Sequence, residues 1–248
     1  MHAITKSLLV AAILSALSCG AFAAVIVVEA STVLHQASNY REDQPTTVLA
    51  AGNVWAGSLS ATAALRGVMS FDLSGVSLGV GESISSVTLD LFYRTPDSGG
   101  LDKLLTVGIY QLNESYTTGQ VSWANRATGT LWSTAGGSFE PPQLSSAEVS
   151  TKGVALTAVP QFGSTSAFVN TVTLAVGSTD FGILFRAPAQ EGLAERAYAN
   201  MVGYTTNSTY SPKLTITTVP EPTTVVLTFL SIGGLAVFGL VRRSKMVS

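Results

Sequence analysis

The chain has 248 residues, with 13 Lys and Arg against 15 Asp and Glu, two histidines and one cysteine, for a formal net charge of −2. Between residues 24 and 218 the balance is nine bases to fourteen acids, a net of −5, and the bases are scattered, so a nucleic-acid partner is not expected. The lone cysteine excludes an internal disulfide, and with two histidines it gives no metal-binding or redox framework.

The first segment, residues 1–23, reads as a secretory signal peptide. Lys6 supplies the positive start, residues 7–17 are apolar but too short to span a bilayer, and Ala21-Phe22-Ala23 is a small-x-small site for signal peptidase. Cleavage then leaves Ala24 as the mature N-terminus and removes Cys19. A lipoprotein reading of Cys19 is the rival, but it wants leucine three positions earlier, where Ala16 stands.

Residues 24–218, about 195 in all, are long enough to bury one core without disulfides. Residues 25–28 are β-branched and read as a first strand. Residues 39–45, polar and closed by Pro45, read as a loop, residues 46–51 as a short strand, and the surroundings of Gly52, Asn53 and Gly57 as a loop again. Residues 65–73 alternate, with Leu65, Gly67, Met69, Phe71 and Leu73 sharing one side. The cleanest alternation is 84–94, where Val87, Leu89, Leu91 and Tyr93 share a face, the mark of a strand buried on one side. Residues 104–112 follow a turn cluster as a further strand, paired as a hairpin or crossing to an opposite sheet. Residues 171–176, 180–185 and 213–217 complete the strands, and 192–200, though alanine-rich, reads as a strand edge rather than a turn of helix. No amphipathic helix stands out in the core. Many short strands separated by Gly- and Ser-rich turns predict an all-β, antiparallel sandwich.

The chain closes on residues 219–248. Pro220 and Pro222 flank Glu221 and keep helix from starting before Thr223, because proline lacks a donor and restricts its predecessor. Residues 223–241 carry no charge, and nineteen residues of helix span roughly 28 Å, near the thickness of a bilayer's hydrocarbon core. The basic tail 242–245, with Arg242, Arg243 and Lys245, sets the topology by staying on the cytoplasmic side. Pro-Glu-Pro, apolar span and basic end, in that order, resemble the PEP-CTERM sorting signal. The resemblance implies a bacterial protein held first in the inner membrane. Exosortase, a membrane-embedded cysteine transpeptidase, would then process it at Pro220, Glu221 and Pro222 for the cell envelope, outer surface or extracellular matrix, often with exopolysaccharide or biofilm. With almost no linker between residue 218 and the motif, the sandwich is expected close to the membrane until that step.

A second resemblance rests on Arg66 to Ser74 (RGVMSFDLS), Ile84 to Leu91 (ISSVTLDL) and Val107-Gly108-Ile109-Tyr110. It continues through Val121-Ser122-Trp123, Trp132 to Gly137 and Ser211 to Ile216. Their order is similar to the DNRLRE-type extracellular domain over residues 30–217. It implies a jelly-roll-like β-sandwich related to carbohydrate-binding modules. Tyr116 stands near where that family usually has tryptophan, its polar name-giving segment is missing, and it brings no catalytic residues.

Candidate chemistry is sparse. His35 lacks the partners a metal site or a Ser-His-Asp triad needs, and no catalytic residue is assigned. Glu42 with Asp43, Asp97 with Asp102, and Glu191 with Glu195 are acid pairs that could serve glycoside hydrolysis only if set across a cleft. No DxDxDG-like calcium loop appears, and no cofactor or metal is expected. The Asn113 and Asn207 sequons read as chance matches in a bacterial protein. Trp55, Trp123 and Trp132, near loops or strand ends, are the candidates for stacking on sugar rings, against the plainer reading that they plug the ends of the sandwich. The expectation is thus an exported, structural or adhesive matrix protein, with a carbohydrate-binding module and a polysaccharide-active enzyme as alternatives.

Overall fold

In the computed structural model, residues 23–29, 38–49, 52–94, 100–203 and 207–221 are described, and they form two units. The larger unit holds residues 25–77 and 84–217; the smaller holds 1–24, 78–83 and 218–248. The residues before 23 that were read as a signal peptide, with His2 and Cys19 among them, and His35, Asp97, Pro222, the apolar stretch 223–241 and the basic tail lie outside the described residues. Among the described residues no helix is long and apolar enough to cross a membrane.

The larger unit is all-β, with antiparallel ladders. The strands, in chain order, are β1 (Val25–Glu29), β2 (Ser38–Arg41), β3 (Asn53–Ser58), β4 (Ala64–Phe71), β5 (Glu82–Asp90, its first two residues in the smaller unit) and β6 (Leu104–Leu112). They continue with β7 (Asn125–Ala127), β8 (Thr130–Leu131), β9 (Phe139–Ser150), β10 (Phe181–Arg186), β11 (Ala197–Val202) and β12 (Lys213–Pro220). One sheet runs β1-β12-β5; a larger one runs β11-β3-β4-β10-β6-β9, with β2 also on β4. β5 and β6 therefore lie in different sheets, the crossing alternative of the two the sequence left open.

The alternation of β5 is borne out physically. Val87, Leu89 and Leu91 are buried between half-exposed Ser86, Thr88 and Asp90, although the order is reversed at the start of the strand, where Ile84 is buried and Ser85 exposed; in β12 Leu214 and Ile216 are buried beside half-exposed threonines. That sheet therefore has one face in a core. β4 differs: Leu65, Val68, Met69 and Phe71 are all fully buried, so its two faces are both covered. Beyond β5 the chain continues across the end of the large sheet. The Arg94 N–H donates to the Asn200 carbonyl at 2.9 Å and the Val202 N–H to that of Phe92 at 2.7 Å, so the residues that follow β5 join the end of β11 at a corner.

Three expectations are corrected, and one strand had not been expected. Residues 39–41, expected in a loop, form most of β2, because Tyr40 is wholly buried against β4 and brings its backbone into register there. The strand expected at 46–51 falls instead on Asn53–Ser58, which pairs with β11 from Asn53↔Val202 to Ser58↔Ala197. Residues 171–176, expected as a strand, belong to helix α1 (Ser166–Ala175). Thr165 caps it by accepting the Phe168 N–H at 3.1 Å, and only Phe168 and Val172, one turn apart, are buried. A two-residue stripe among β-branched neighbours carries little helical signature. Finally, β9 went unforeseen because Pro141 and Pro142 interrupt it. The β6–β9 ladder pairs Ile109↔Ser145 and then jumps to Gln111↔Glu140, so both prolines fall in the irregularity, where no ladder donor is required.

In the smaller unit, residues 79–82 close a turn, with the Glu82 N–H donating to the Gly79 carbonyl at 3.0 Å. The Glu221 N–H donates to the Gly81 carbonyl at 2.6 Å, and the Thr218 N–H to that of Ala24 at 2.8 Å.

Candidate functional site

Between β6 and β9 the chain makes an excursion, residues 113–138, that includes the short β7-β8 ladder. Its Val121 and Trp132 pack with Tyr40, Val68, Leu112 and Leu184 of β2, β4, β6 and β10, and Tyr110, Tyr116, Trp123 and Phe139 lie partly buried around them. The excursion thus covers one face of the large sheet with an apolar patch of its own.

A polar cluster borders that patch. Arg66 of β4 and Arg186 at the end of β10 follow the Gly67↔Phe185 pair of the same ladder, so two guanidiniums stand side by side across neighbouring strands. Like charges in that relation repel. Glu191, in the loop after β10, separates them: it accepts from Arg66 Nε at 2.9 Å and Nη2 at 2.8 Å, and from Arg186 Nη2 at 2.6 Å. The fork geometry toward Arg66 is the bidentate arrangement that makes such pairs strong. Burial is the largest influence on the Glu191 carboxyl and pushes its pKa up. Hydrogen bonds and charge from Arg66, then Arg186, outweigh it, and the carboxylate titrates below its ordinary range. Burial likewise opposes the charge on Arg66, but Glu191 more than compensates and the guanidinium is held more firmly protonated than usual.

Arg66 also reaches the excursion. Its Nη1 donates to the Gly136 carbonyl at 2.8 Å, and its guanidinium carbon lies 4.8 Å from the ring centre of Trp123. Gly136 has φ +82°, and a Cβ there would come within 2.7 Å of Arg66 Nη1 and 2.8 Å of the Trp123 ring, so the close approach admits no side chain. The Tyr40 hydroxyl donates to the same carbonyl at 3.1 Å, and burial raises the pKa of this phenol far above its usual value. Arg186 meanwhile lies 5.2 Å from the ring centre of Phe139 and 5.8 Å from that of Tyr110; these two rings are 5.0 Å apart. The Nε of Arg186 is buried with no hydrogen-bond partner among the described residues. Tyr110 donates its hydroxyl to Gln143 Oε1 at 2.9 Å, at the exposed rim. The result is a row of half-buried aromatic rings interleaved with two cations, their charge partly balanced by one carboxylate.

Of the three tryptophans, Trp123 joins this row, edge-on to Tyr40 with ring centres 5.8 Å apart. Trp55 is half-buried elsewhere, on β3, giving its indole N–H to Asn200 Oδ1 at 3.1 Å and lying 5.8 Å from the Tyr198 ring. Trp132 is corrected: it is 5 % exposed, with its N–H donated to the Ser122 carbonyl at 3.1 Å, and its ring is core and not a stacking surface. The acid pairs also find their places. Asp43 bonds Arg41 at 2.6 Å, Glu42 accepts the Ala64 N–H, and Glu195 pairs with Lys103 at 3.1 Å while Glu191 is taken by the two arginines. Among the described residues no group of three or more His, Cys, Asp and Glu gathers to hold a metal. The sequence reading missed Arg66, Arg186, Tyr110 and Phe139. The available signal was charge inside otherwise apolar strands, ALRGVMSF and FGILFR.

Residues 37–158 match the family model described as Disaggregatase related repeat domain, just under half of the chain. The match runs from just ahead of β2 to beyond β9, and so takes in Arg66, Tyr110, Trp123 and Phe139 but not Arg186 or Glu191. No curated protein matches the chain.

Proposed function

We propose that this chain is an exported envelope or extracellular-matrix protein with a structural or adhesive role in exopolysaccharide, sorted by exosortase through its C-terminal segment. Its larger unit serves as a jelly-roll-like β-sandwich of the DNRLRE type. The observation that carries the reading is the order of Pro220-Glu221-Pro222, an uncharged stretch of spanning length and the Arg242-Arg243-Lys245 end, behind a leader with its own cleavage site. The matched family takes its name from disaggregatase, a word for taking aggregates apart, and a role in matrix material is in keeping with it. Mass spectrometry of the mature protein from native envelopes tests the proposal. The expected terminus lies at residues 220–222, and recovery of intact Ser248 would leave a plain anchor in place of a sorting signal.

A second reading, a carbohydrate-binding module, is favoured by the aromatic row. Rings with one face partly open and cations beside them suit the apolar face of a sugar ring and its hydroxyls. If it holds, Trp123→Ala will abolish retardation of the protein in affinity gels containing the host exopolysaccharide, while Trp55→Phe retains it. Equal mobility of wild type and Trp123→Ala across such gels would remove this reading. An enzyme acting on polysaccharide is a third. Glu191 does not favour it, since a carboxyl kept ionised by two guanidiniums is ill suited to be a general acid.

A further inference from the structure

We infer that the turn Gly79-Val80-Gly81 is a membrane-contacting tip, seating the Val80 side chain in the headgroup boundary of a lipid bilayer beside the place where the chain enters it. The inference rests on reading residues 223–241 as a span, and it adds a contact that this reading does not contain. A single exposed valine needs no explanation by itself. Val80, however, is wholly exposed, at 104 %, and is held in a turn tied down on three sides. The Glu82 N–H donates to the Gly79 carbonyl at 3.0 Å, and the Glu82 carboxylate accepts the Gly79 N–H at 2.9 Å. Gly81, at φ +74°, takes the third turn position, where a side chain would be strained. The Gly81 carbonyl in turn accepts the Glu221 N–H at 2.6 Å. An apolar side chain is thus presented outward from a fixed corner, with little conformational freedom left to lose on contact.

The position of that corner supplies the partner. Glu221 is two residues from Thr223, the first of the uncharged stretch. With consecutive Cα atoms 3.8 Å apart, the stretch begins within roughly 8 Å of Glu221, and so within about 15 Å of Val80. The Ala24 carbonyl accepts the Thr218 N–H at 2.8 Å, so the residue expected as the mature N-terminus is tied to the strand that leads into Glu221, in the same small unit. The carboxylates of Glu82 and Glu221 belong at the level of the headgroups, which limits the tip to the shallow boundary about 5–10 Å deep that interfacial side chains occupy.

The test uses the full chain with Cys19→Ser, so that each introduced cysteine is single, reconstituted in phosphatidylcholine vesicles. Val80→Cys, Leu174→Cys and Ile232→Cys are each labelled with a polarity-sensitive fluorophore; Leu174, 89 % exposed on α1, is the water-facing control. The Val80 and Ile232 labels are expected to shift to the blue and to be quenched severalfold by nitroxide-bearing lipid, and the Leu174 label to do neither. An Ile232 label quenched while the Val80 label behaves like that at Leu174 overturns the inference and leaves the span standing. A Val80 label that shifts without quenching by lipid means that protein covers the tip, and also overturns it. An unquenched Ile232 label removes the span, and the tip with it.

Discussion

A chain cut to residues 37–158, the segment that matches the family model, will show no cooperative unfolding, whereas one running from Ala24 to Glu221 will. The reason is β10. Phe181–Arg186 lies outside the match, yet in the large sheet it is hydrogen-bonded to β4 on one side and β6 on the other. Ile183, Leu184 and Phe185 are all fully buried. At about 1.5–3 kcal/mol for each buried side chain of this size, those three alone approach the 5–15 kcal/mol that holds a typical domain together. Removing β10 also strips two ladders, and removing β11 and β12 exposes β3 and β5. Urea titration followed by far-ultraviolet circular dichroism decides the matter. A sigmoidal transition in the 37–158 chain would show that β4 and β6 can rejoin without the strand between them. The folding unit is therefore larger than the matched segment.

Replacement of Glu191 by glutamine is the second large effect. The amide keeps the shape but withdraws the charge that separates Arg66 from Arg186, leaving two side chains 11 % and 20 % exposed facing one another without a counterion. Breaking a buried pair from one side costs about 3–5 kcal/mol; the remaining exposure and the Arg66 contacts to Gly136 and Trp123 bring the expectation to about 2–4 kcal/mol. Glu195→Gln, which breaks a half-exposed pair with Lys103, should cost no more than about 1 kcal/mol. Equal urea midpoints for the two variants would refute the structural weight given to Glu191. The pH dependence carries the same signature. Because the folded carboxyl titrates below its unfolded value of about 4.3, the unfolded chain binds the proton more readily. The stabilisation is therefore complete above that value and is lost as pH falls through the lower folded pKa. Wild type should lose stability more steeply than Glu191→Gln below about pH 4, and the two should run parallel near neutrality.

The strands that alternation reveals are those with one face in a core and one toward water. β5 and β6 are of this kind, and β6 falls on the expected residues 104–112. β4, covered on both faces, was also found by its alternation at 65–73, but where the local chemistry points elsewhere, as with the prolines of β9, period is a poor guide. The helix α1 is hidden for a related reason: with only Phe168 and Val172 buried, its stability comes from the capping of Thr165 and from packing near β9. The aromatic row was half visible. Tryptophans near turns suggested where rings collect, but burial separates Trp132 from Trp123, and burial depends on what the rest of the chain brings.

Composition, charge and the apolar ends are enough to set the class of the chain: β-rich in its middle, with a lone cysteine and no basic face, and bounded by two apolar stretches. These are sums and short-range patterns, and each residue contributes to them wherever it ends up in space. The partnership of Arg66 with Glu191 is of another kind, because 125 positions separate the two residues. So is the approach of Gly81 to Glu221. Such contacts depend on strand order and register, which place β10 between β4 and β6 and bring Ala24 beside Thr218. Only the folded sheets bring those backbones together.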